Sequence, residues 1–260
     1  MKLEKKIKIL VKGPALTMSG YGEQCRFALR ALRGRQDIYD IYLVPINWGK
    51  TGWISTSNEE RAWLDNIIKK TMFHAQSGAK YDISLQVTIP NEWENLAPIN
   101  IGYTAGVETN RISPEWVDKS NMMDKIIVVS QHPKYGFENS VFQKTDNRTG
   151  QVIDDDYRCT TPVDVVNFCV KTLTSEEPSG IEDGQLVDNK AVTDTSFNIL
   201  EKPFKKDFNF LCVAQMGPRK NVDGTITGFL KEFRDCEDVG LVLKITDMNN
   251  STLDKWRCKS

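Results

Sequence analysis

Residues 7–34 decide the fold class, and they read IKILVKGPALTMSGYGEQCRFALRALRG. The first five residues form a β-branched apolar run, which is typical of a strand buried on both faces of a parallel sheet. A turn of small residues follows. Apolar residues then recur at helical spacing from Cys25 to Leu32, before Gly34, a residue type that often ends a helix. The stretch predicts a strand, a glycine turn and a helix, the opening unit of a parallel α/β sheet.

The same alternation continues along the first half of the chain. Helices are predicted between further strands, and Asn58 is expected to cap a helix whose buried face carries Trp63, Ile67 and Met72. The strands are predicted at 38–46, 81–89, 98–106 and 124–130, and the helices at 58–74 and 113–123. Ligands of such sheets bind in the loops at the carboxyl ends of the strands.

The pattern changes after about residue 143. Residues 143–206 are polar, and the acidic cluster Asp154–Asp156 is expected to lie in an exposed loop, while residues 163–170, VDVVNFCV, predict a buried strand. A second strand–loop–helix–strand pattern runs from 208 to 245. We therefore expect a first Rossmann-like domain at 1–200 and the beginning of a second at 207–260. A single βαβ unit cannot bury both faces of its strands, so the second domain is expected to be truncated or completed by a partner chain.

Composition narrows the functional classes. The 260 residues carry a net charge of −1, which gives no general attraction to nucleic acid or anionic membranes. No apolar run approaches the roughly 20 residues of a transmembrane helix. None of the six cysteines forms a C-x-x-C pair, and no metal site is expected. A cytoplasmic protein with reduced, mostly buried thiols is the expectation.

Two loops have residues suited to phosphate. Ser19, Gly20, Tyr21 and Gly22 stand between a strand and a helix start, where free amides favour an anion. The fingerprint of dinucleotide sites is incomplete, because Cys25 replaces its third glycine and no acid ends the second strand. A tight turn that needs glycine is the alternative. In the second α/β pattern, Arg219 and Lys220 follow a strand and could bind a diphosphate, or could be a solvated charge pair.

Further candidates lie in other loops at the same sheet edge. Glu108 and Thr109 could hydrogen-bond a polyol, and His132, directly after a strand end, could act as a general acid or base or be a surface residue. Aromatic rings in loops can stack on sugars or simply pack the loops. The tryptophans in question are Trp48, Trp53 and Trp93.

Residues 107–142, VETNRISPEWVDKSNMMDKIIVVSQHPKYGFENSVF, resemble the family-4 glycosyltransferases, retaining enzymes of the two-Rossmann GT-B architecture. The resemblance rests on a spaced set of residues in this stretch: Glu108, Thr109, Pro114, Trp116, Val117, Asn121, Asp124, Ser130 and Phe142. Residues 208–233, FNFLCVAQMGPRKNVDGTITGFLKEF, are similar to the start of the second domain of these enzymes, and the glycine loop at 19–32 is similar to theirs.

The resemblance implies a sugar transfer from a nucleotide sugar, a UDP- or GDP-sugar, to a glycan, lipid or small-molecule acceptor. Lys220, with Arg219, would contact the donor diphosphate, and the loop of Gly20 and Gly22 would close on it without an obligatory metal. His132 and Glu108 are the catalytic candidates. The glycine–arginine pair that usually precedes the lysine is replaced here by AQMGP. The donor-binding E-x7-E motif of the family would lie beyond Ser260.

Two other interpretations stay open at the level of sequence. One is a non-catalytic remnant that binds a sugar or a partner protein through its first domain. The other is an unrelated α/β nucleotide-binding enzyme, which is harder to reconcile with several family-like segments in the same order.

Overall fold

A computed structural model describes residues 6–49, 51–55, 57–146, 148–169 and 206–246. The chain divides into two compact units, Met1–Cys169 and Val170–Ser260. The strands of the first unit are β1 (Ile7–Gly13), β2 (Tyr39–Pro45), β3 (Ile83–Val87), β4 (Ile99–Thr104), β5 (Lys125–Val128), β6 (Val141–Thr145), β7 (Val152–Arg158) and β8 (Val163–Val165). Its helices are α1 (Gly20–Arg33), α2 (Glu59–Gln76), α3 (Pro114–Ser120) and α4 (Gln131–Asn139), with a short 3-10 helix at Pro90–Glu92.

Six strands of the first unit form one parallel sheet in the order β2-β1-β3-β4-β5-β8. All five neighbouring pairs are parallel. The predicted α/β class with a parallel sheet is therefore confirmed. The sheet grows from β1 toward β2 on one side and toward β3 on the other. This change of direction makes the carboxyl ends of β1 and β3 the place where an open α/β sheet offers a crevice.

Side-chain oxygens cap the longer helices at their first residues. Ser19 caps α1, and Asn58 Oδ1 accepts the amide of Arg61 at 2.8 Å, as predicted for the start of α2. The buried face of α2 consists of Leu64, Ile67 and Thr71. Met72, expected on that face, is instead 59% exposed. The prediction was wrong because position 72 lies one residue beyond the stripe that 64, 67 and 71 define at helical spacing.

Two apolar clusters pack on opposite faces of the sheet. One joins α1 and α2 to strand residues such as Val11, Val87 and Tyr103, and the other joins α3 and α4 to Ile126 and Val128. Tyr103 pairs with Ile127 across the sheet, and successive residues of a strand point to opposite faces. Both faces of the sheet are therefore covered, as its apolar strands require.

The region expected to be irregular begins with an antiparallel hairpin. Strands β6 and β7 pair outside the main sheet, and the acidic cluster Asp154–Asp156 lies on β7, exposed as expected but not in a loop. Phe142 and Tyr157 anchor the hairpin to the second cluster. The turn is set by Asp146, whose Oδ1 accepts the amides of Arg148 and Thr149 at 2.7 and 2.9 Å, and by Gly150 at φ 70°.

Strand β8 is shorter than predicted. Only Val163–Val165 pair with β5, and residues 166–169 are exposed because β8 is the edge of the sheet. The rest of the predicted polar region, 170–205, and the domain boundary expected near 200 lie outside the described residues, as do residues 247–260.

The described part of the second unit is a strand–helix–strand motif, as predicted. Strands β9 (Phe208–Gln215) and β10 (Val239–Thr246) pair in parallel, and a 3-10 helix (Pro218–Lys220) precedes α5 (Val222–Phe233). Four aromatic rings join the strand to the helix: Phe208, Phe210, Phe229 and Phe233. No helix among the described residues of either unit is long and apolar enough to cross a membrane.

The thiols are less buried than expected. Five cysteines within the described residues are free, and only Cys25 is buried. Burial raises the pKa of Cys25 to about 12, so its thiol is not ionised near neutral pH. Cys169 and Cys236 are exposed.

Candidate functional site

Residues 19–22 were predicted to be a loop before the helix, but Gly20, Tyr21 and Gly22 are the first three residues of α1, and Ser19 is its cap. This segment, still called the glycine loop below, is held in place by hydrogen bonds from nearby side chains. Ser19 Oγ accepts the amide of Gly22 at 2.9 Å and lies 2.8 Å from Thr17 Oγ1. Arg26, 7% exposed, donates to the carbonyls of Ala15 and Thr17 at 2.8 and 3.0 Å. The loop is therefore rigid before any ligand arrives. The backbone amides of Gly20 and Tyr21 lie in the first turn of α1 and have no acceptor within the helix.

The two glycines of this loop have different physical roles. A Cβ on Gly22 would lie 2.2 Å from the carbonyl oxygen of Thr17, whereas a Cβ on Gly20 would meet no atom within 4 Å. Neither glycine has a positive φ. Gly22 is therefore required by packing, which fits the alternative of a tight turn. Gly20 is not, so its open surface is the part of the loop that suits the close approach of a ligand.

Tyr21 connects the glycine loop to the end of β4. Its hydroxyl lies 2.8 Å from Thr104 Oγ1 and accepts the amide of Ala105 at 3.2 Å, and its ring lies 4.2 Å from that of Trp48. Burial raises the pKa of Tyr21, and the hydrogen bonds to Thr104 and Ala105 oppose that shift only in part. The phenol, predicted to bind a ligand, is occupied by contacts within the protein.

The loop after β4 packs against the start of α4 and brings the two catalytic candidates onto adjoining segments. Gly106, at φ 83°, lies so close to Pro133 that a Cβ would approach it to 2.3 Å. His132 Nε2 lies 3.1 Å from the carbonyl oxygen of Thr109. A carbonyl oxygen only accepts, so the neutral imidazole carries its proton on Nε2 and keeps Nδ1 as an acceptor. Glu108 and His132 are both exposed.

The three candidate tryptophans have different positions. Trp93 is fully buried, and its ring packs on Gly102 of β4, so the hypothesis of stacking on a sugar is wrong for this residue. The ring of Trp48 packs against that of Tyr21 at an interplanar angle of 32°. Trp53 is 50% exposed and forms a bridge with Thr17, in which Met18 N donates to Gly52 O and Ile54 N to Leu16 O, both at 2.8 Å.

The loop after β3 is tied back to β1 by a lysine. Lys12 Nζ donates to Glu94 Oε2 at 2.6 Å and to the carbonyl oxygen of Glu92 at 3.1 Å. The hydrogen bond from Lys12 lowers the pKa of Glu94. This contact joins the end of β1 to the loop after β3, the strand that pairs with it.

Sequence reasoning missed two buried polar residues near the carboxyl ends of β1 and β3. Gln24 of α1 is 1% exposed and Thr88 is fully buried, and neither side chain has a hydrogen-bond partner within the described residues. Cys25 follows Gln24 and Val87 precedes Thr88 in the sequence. Both neighbours lie within 3.1 Å of a Cβ built on Gly13, at the end of β1. A glutamine near the start of a helix carries no signal of burial, because this residue type is mostly exposed.

In the second unit, Arg219 and Lys220 are exposed on the 3-10 helix before α5. Asn221, which follows them, has a left-handed backbone (φ 46°, ψ 47°), and its side chain packs so closely on Gly224 that a Cβ there would approach to 2.4 Å. A cavity of about 400 Å³ adjoins this turn, lined by Met216, Gly217, Pro218, Asn221, Val222 and Asp223. The sequence placed the basic pair correctly in the strand-to-helix turn.

Comparison with protein families, curated proteins and solved structures finds no match for this chain. The fold and the site define a class, an α/β protein with a six-stranded parallel sheet and candidate residues on the loops at its carboxyl edge. A more particular assignment depends on the sequence resemblance and on the chemistry of these loops.

Proposed function

We propose that the protein is a retaining glycosyltransferase of the GT-B type, which moves a sugar from a UDP- or GDP-sugar to an acceptor. One observation carries most of the argument. The glycine loop, the loop of Glu108 and the start of α4 with His132 are linked by direct contacts at one edge of the sheet, through Tyr21 in one direction and through Gly106 and Pro133 in the other. The family-4 resemblance implies that the glycine loop closes on the donor phosphates, and Glu108 and His132 are the catalytic candidates.

The candidate residues have side chains suited to a sugar transfer in which a nucleoside diphosphate leaves. Lys220 and Arg219 supply positive charge at a helix-start turn, which would stabilise the negative charge that develops on the leaving group. The open surface at Gly20 lets a phosphate approach the first amides of α1. The acceptor nitrogen Nδ1 of His132 could take the proton of an attacking sugar hydroxyl.

Donor binding tests the assignment of the basic turn. We expect Lys220→Ala to weaken the binding of UDP or GDP about tenfold or more, because a charge-assisted contact to phosphate is lost. Lys231→Ala, on the last turn of α5, is the matched control and should bind as the wild type does. Isothermal titration calorimetry of the whole chain measures both. Equal nucleotide affinity in wild type and Lys220→Ala would refute the donor site.

Binding of a sugar without catalysis is the second candidate function. It is favoured by the contact of His132 with a backbone carbonyl, since among the described residues no carboxylate forms an ion pair with this histidine. Release of UDP from UDP-sugars separates the two candidates. If the wild type releases UDP and His132→Asn does not, the transferase is supported. If nucleotide or sugar binds but no UDP is released, the binding module is supported.

A further inference from the structure

A polar groove lies beside the candidate site, between the loop after β4 and helix α4. The groove is open to solvent, and its volume of about 340 Å³ is within the range of roughly 300–1,000 Å³ for small-molecule sites. Its lining is Asn110, Arg111, Tyr135, Asn139 and Val141. None of these residues was singled out from the sequence, and the groove does not include the glycine loop or the basic turn of the second unit.

Arg111 gives the groove a fixed positive charge. Its guanidinium stacks on Phe142, 4.4 Å from the ring centroid, and Nη2 donates to the carbonyl oxygen of Val141. No carboxylate among the described residues forms an ion pair with it. The guanidinium has five N–H donors, and one bond to a carbonyl leaves several of them for a ligand. Such a held fork is suited to a carboxylate or a phosphate.

The loop that carries Arg111 is itself anchored. Thr109 Oγ1 donates to the carbonyl oxygen of Arg111 at 2.9 Å, and the amide of Ile112 donates to Ser140 Oγ at 2.9 Å. Ile112 is buried. The position of the guanidinium is therefore set before a ligand binds, which lowers the entropic cost of binding.

The other groups in the groove suit hydroxyls. Asn139 Nδ2 donates to the carbonyl oxygen of Tyr135 at 2.9 Å, which orients the amide and leaves its oxygen as an acceptor. Asn110 adds a second amide, and Tyr135, 56% exposed, offers an aromatic face and a phenol. Amides that both donate and accept, together with one aromatic ring, are the usual means of binding a polyol. On α4, Lys134 is paired with Glu138 at 3.5 Å, so these two charges largely offset each other.

We propose that this groove binds an anionic saccharide, that is, a sugar that carries a carboxylate or a phosphate. The anion contacts Arg111, and the hydroxyls contact the amides of Asn110 and Asn139. The inference goes beyond the proposed function, since it concerns binding to the first unit and requires no transfer reaction.

Calorimetric titration of the whole chain at low salt tests the groove with four probes: glucuronate, glucose 6-phosphate, glucose and inorganic phosphate. We expect at least one of the two anionic sugars to bind about tenfold or more tightly than glucose. If only glucuronate binds tightly, the ligand carries a carboxylate. If only glucose 6-phosphate does, the ligand carries a phosphate. Equal binding of glucose, or inorganic phosphate as tight as glucose 6-phosphate, would overturn the proposal.

Substitutions in the groove test whether the anionic sugars bind there. Arg111→Gln should remove the preference for anionic sugars, whereas Arg35→Gln, at an exposed arginine that pairs with Asp37, should not. Because Arg111 also packs on Phe142, a second variant leaves it in place. Asn110→Asp adds a carboxylate beside the guanidinium and should weaken binding of the anionic sugars by repulsion and competition. Unchanged binding in both Arg111→Gln and Asn110→Asp would contradict the assignment. Lys220→Ala should leave this binding unchanged, so the groove and the proposed donor site can fail separately.

Discussion

Replacement of Gly22 by alanine is expected to destabilise the first unit, whereas the same change at Gly20 is not. A Cβ on Gly22 would lie 2.2 Å from Thr17 O, 2.8 Å from Thr17 Oγ1 and 3.0 Å from Pro14 O. Two of these are backbone oxygens, and both are held. Thr17 O accepts from Arg26, and Pro14 O accepts from the amide and the hydroxyl of Thr17.

The magnitude follows from two opposing effects. Insertion of a methyl group into such a rigid contact costs about 1–3 kcal/mol, and the rigidity places Gly22 at the upper end. Alanine regains up to about 1 kcal/mol of helix propensity. We expect a net loss of about 2 kcal/mol for Gly22→Ala, which lowers Tm by about 4–8 °C in a unit of this size. Gly20→Ala should change the unfolding free energy by less than about 0.5 kcal/mol.

Urea unfolding followed by tryptophan fluorescence measures this difference. Five of the six tryptophans lie within the first unit, so the signal mostly reports its unfolding. Circular dichroism of both variants before denaturation checks that each begins folded. If Gly22→Ala is as stable as the wild type, or if the two alanine variants lose equal stability, the packing role of Gly22 is refuted.

Three further changes are predicted from contacts already described. Gly102→Ala should cost about 1–3 kcal/mol, because a Cβ there would lie 2.5 Å from the buried ring of Trp93. Burial raises the pKa of Tyr21 above 10.0, so its contribution to stability is present below pH 10 and lost as pH rises through the folded-state pKa; Tyr21→Phe should show a shallower loss above pH 10. Lys12 lowers the pKa of Glu94 below 4.5, so this pair stabilises above that pH and the contribution is lost in acid. Lys12→Met should cost at most about 1 kcal/mol near neutral pH and less once Glu94 is protonated, when only the bond to the carbonyl oxygen of Glu92 remains.

Matched measurements control these predictions. Gly136→Ala is the control for the two buried glycines described above. Its Cβ would meet only a side-chain atom of Ile112 at 3.7 Å, an ordinary contact, so no packing cost is expected. Thermal unfolding at several pH values compares Tyr21→Phe and Lys12→Met with the wild type. A parallel pH profile in wild type and Tyr21→Phe above pH 10, or a pH-independent difference for Lys12→Met, would contradict the respective prediction.

The sheet could be predicted from sequence because its strands are buried on both faces. Apolar runs such as IKILV leave few alternatives, and the predicted cap Asn58 marks the start of α2. The cap of α1, Ser19, was not predicted. The β6–β7 hairpin could not be predicted in this way. Its strands are mostly exposed and touch the core only through Phe142 and Tyr157, so no apolar alternation appears. Its turn, residues 146–150, was the signal available, with an aspartate first and a glycine last.

The candidate site was predictable in location but not in detail. Strand ends give the edge of the sheet, and therefore the loops of Gly20, Glu108 and His132. Whether a loop side chain is buried depends on residues far away in the sequence. For this reason the sequence did not distinguish the buried Trp93 from the half-exposed Trp53. The groove around Arg111 could not be predicted from sequence, because the stacking of its guanidinium on Phe142 and the absence of a carboxylate partner among the described residues depend on the three-dimensional structure.

The bridge between Thr17 and Trp53 has a consequence for protein engineering. Two backbone hydrogen bonds, Met18 N to Gly52 O and Ile54 N to Leu16 O, join the loop after β1 to the loop after β2 as a miniature ladder. A graft that replaces one loop alone would leave the other with an unpaired edge. Transfer of these loops to another α/β scaffold therefore requires both to be moved together, with their register preserved.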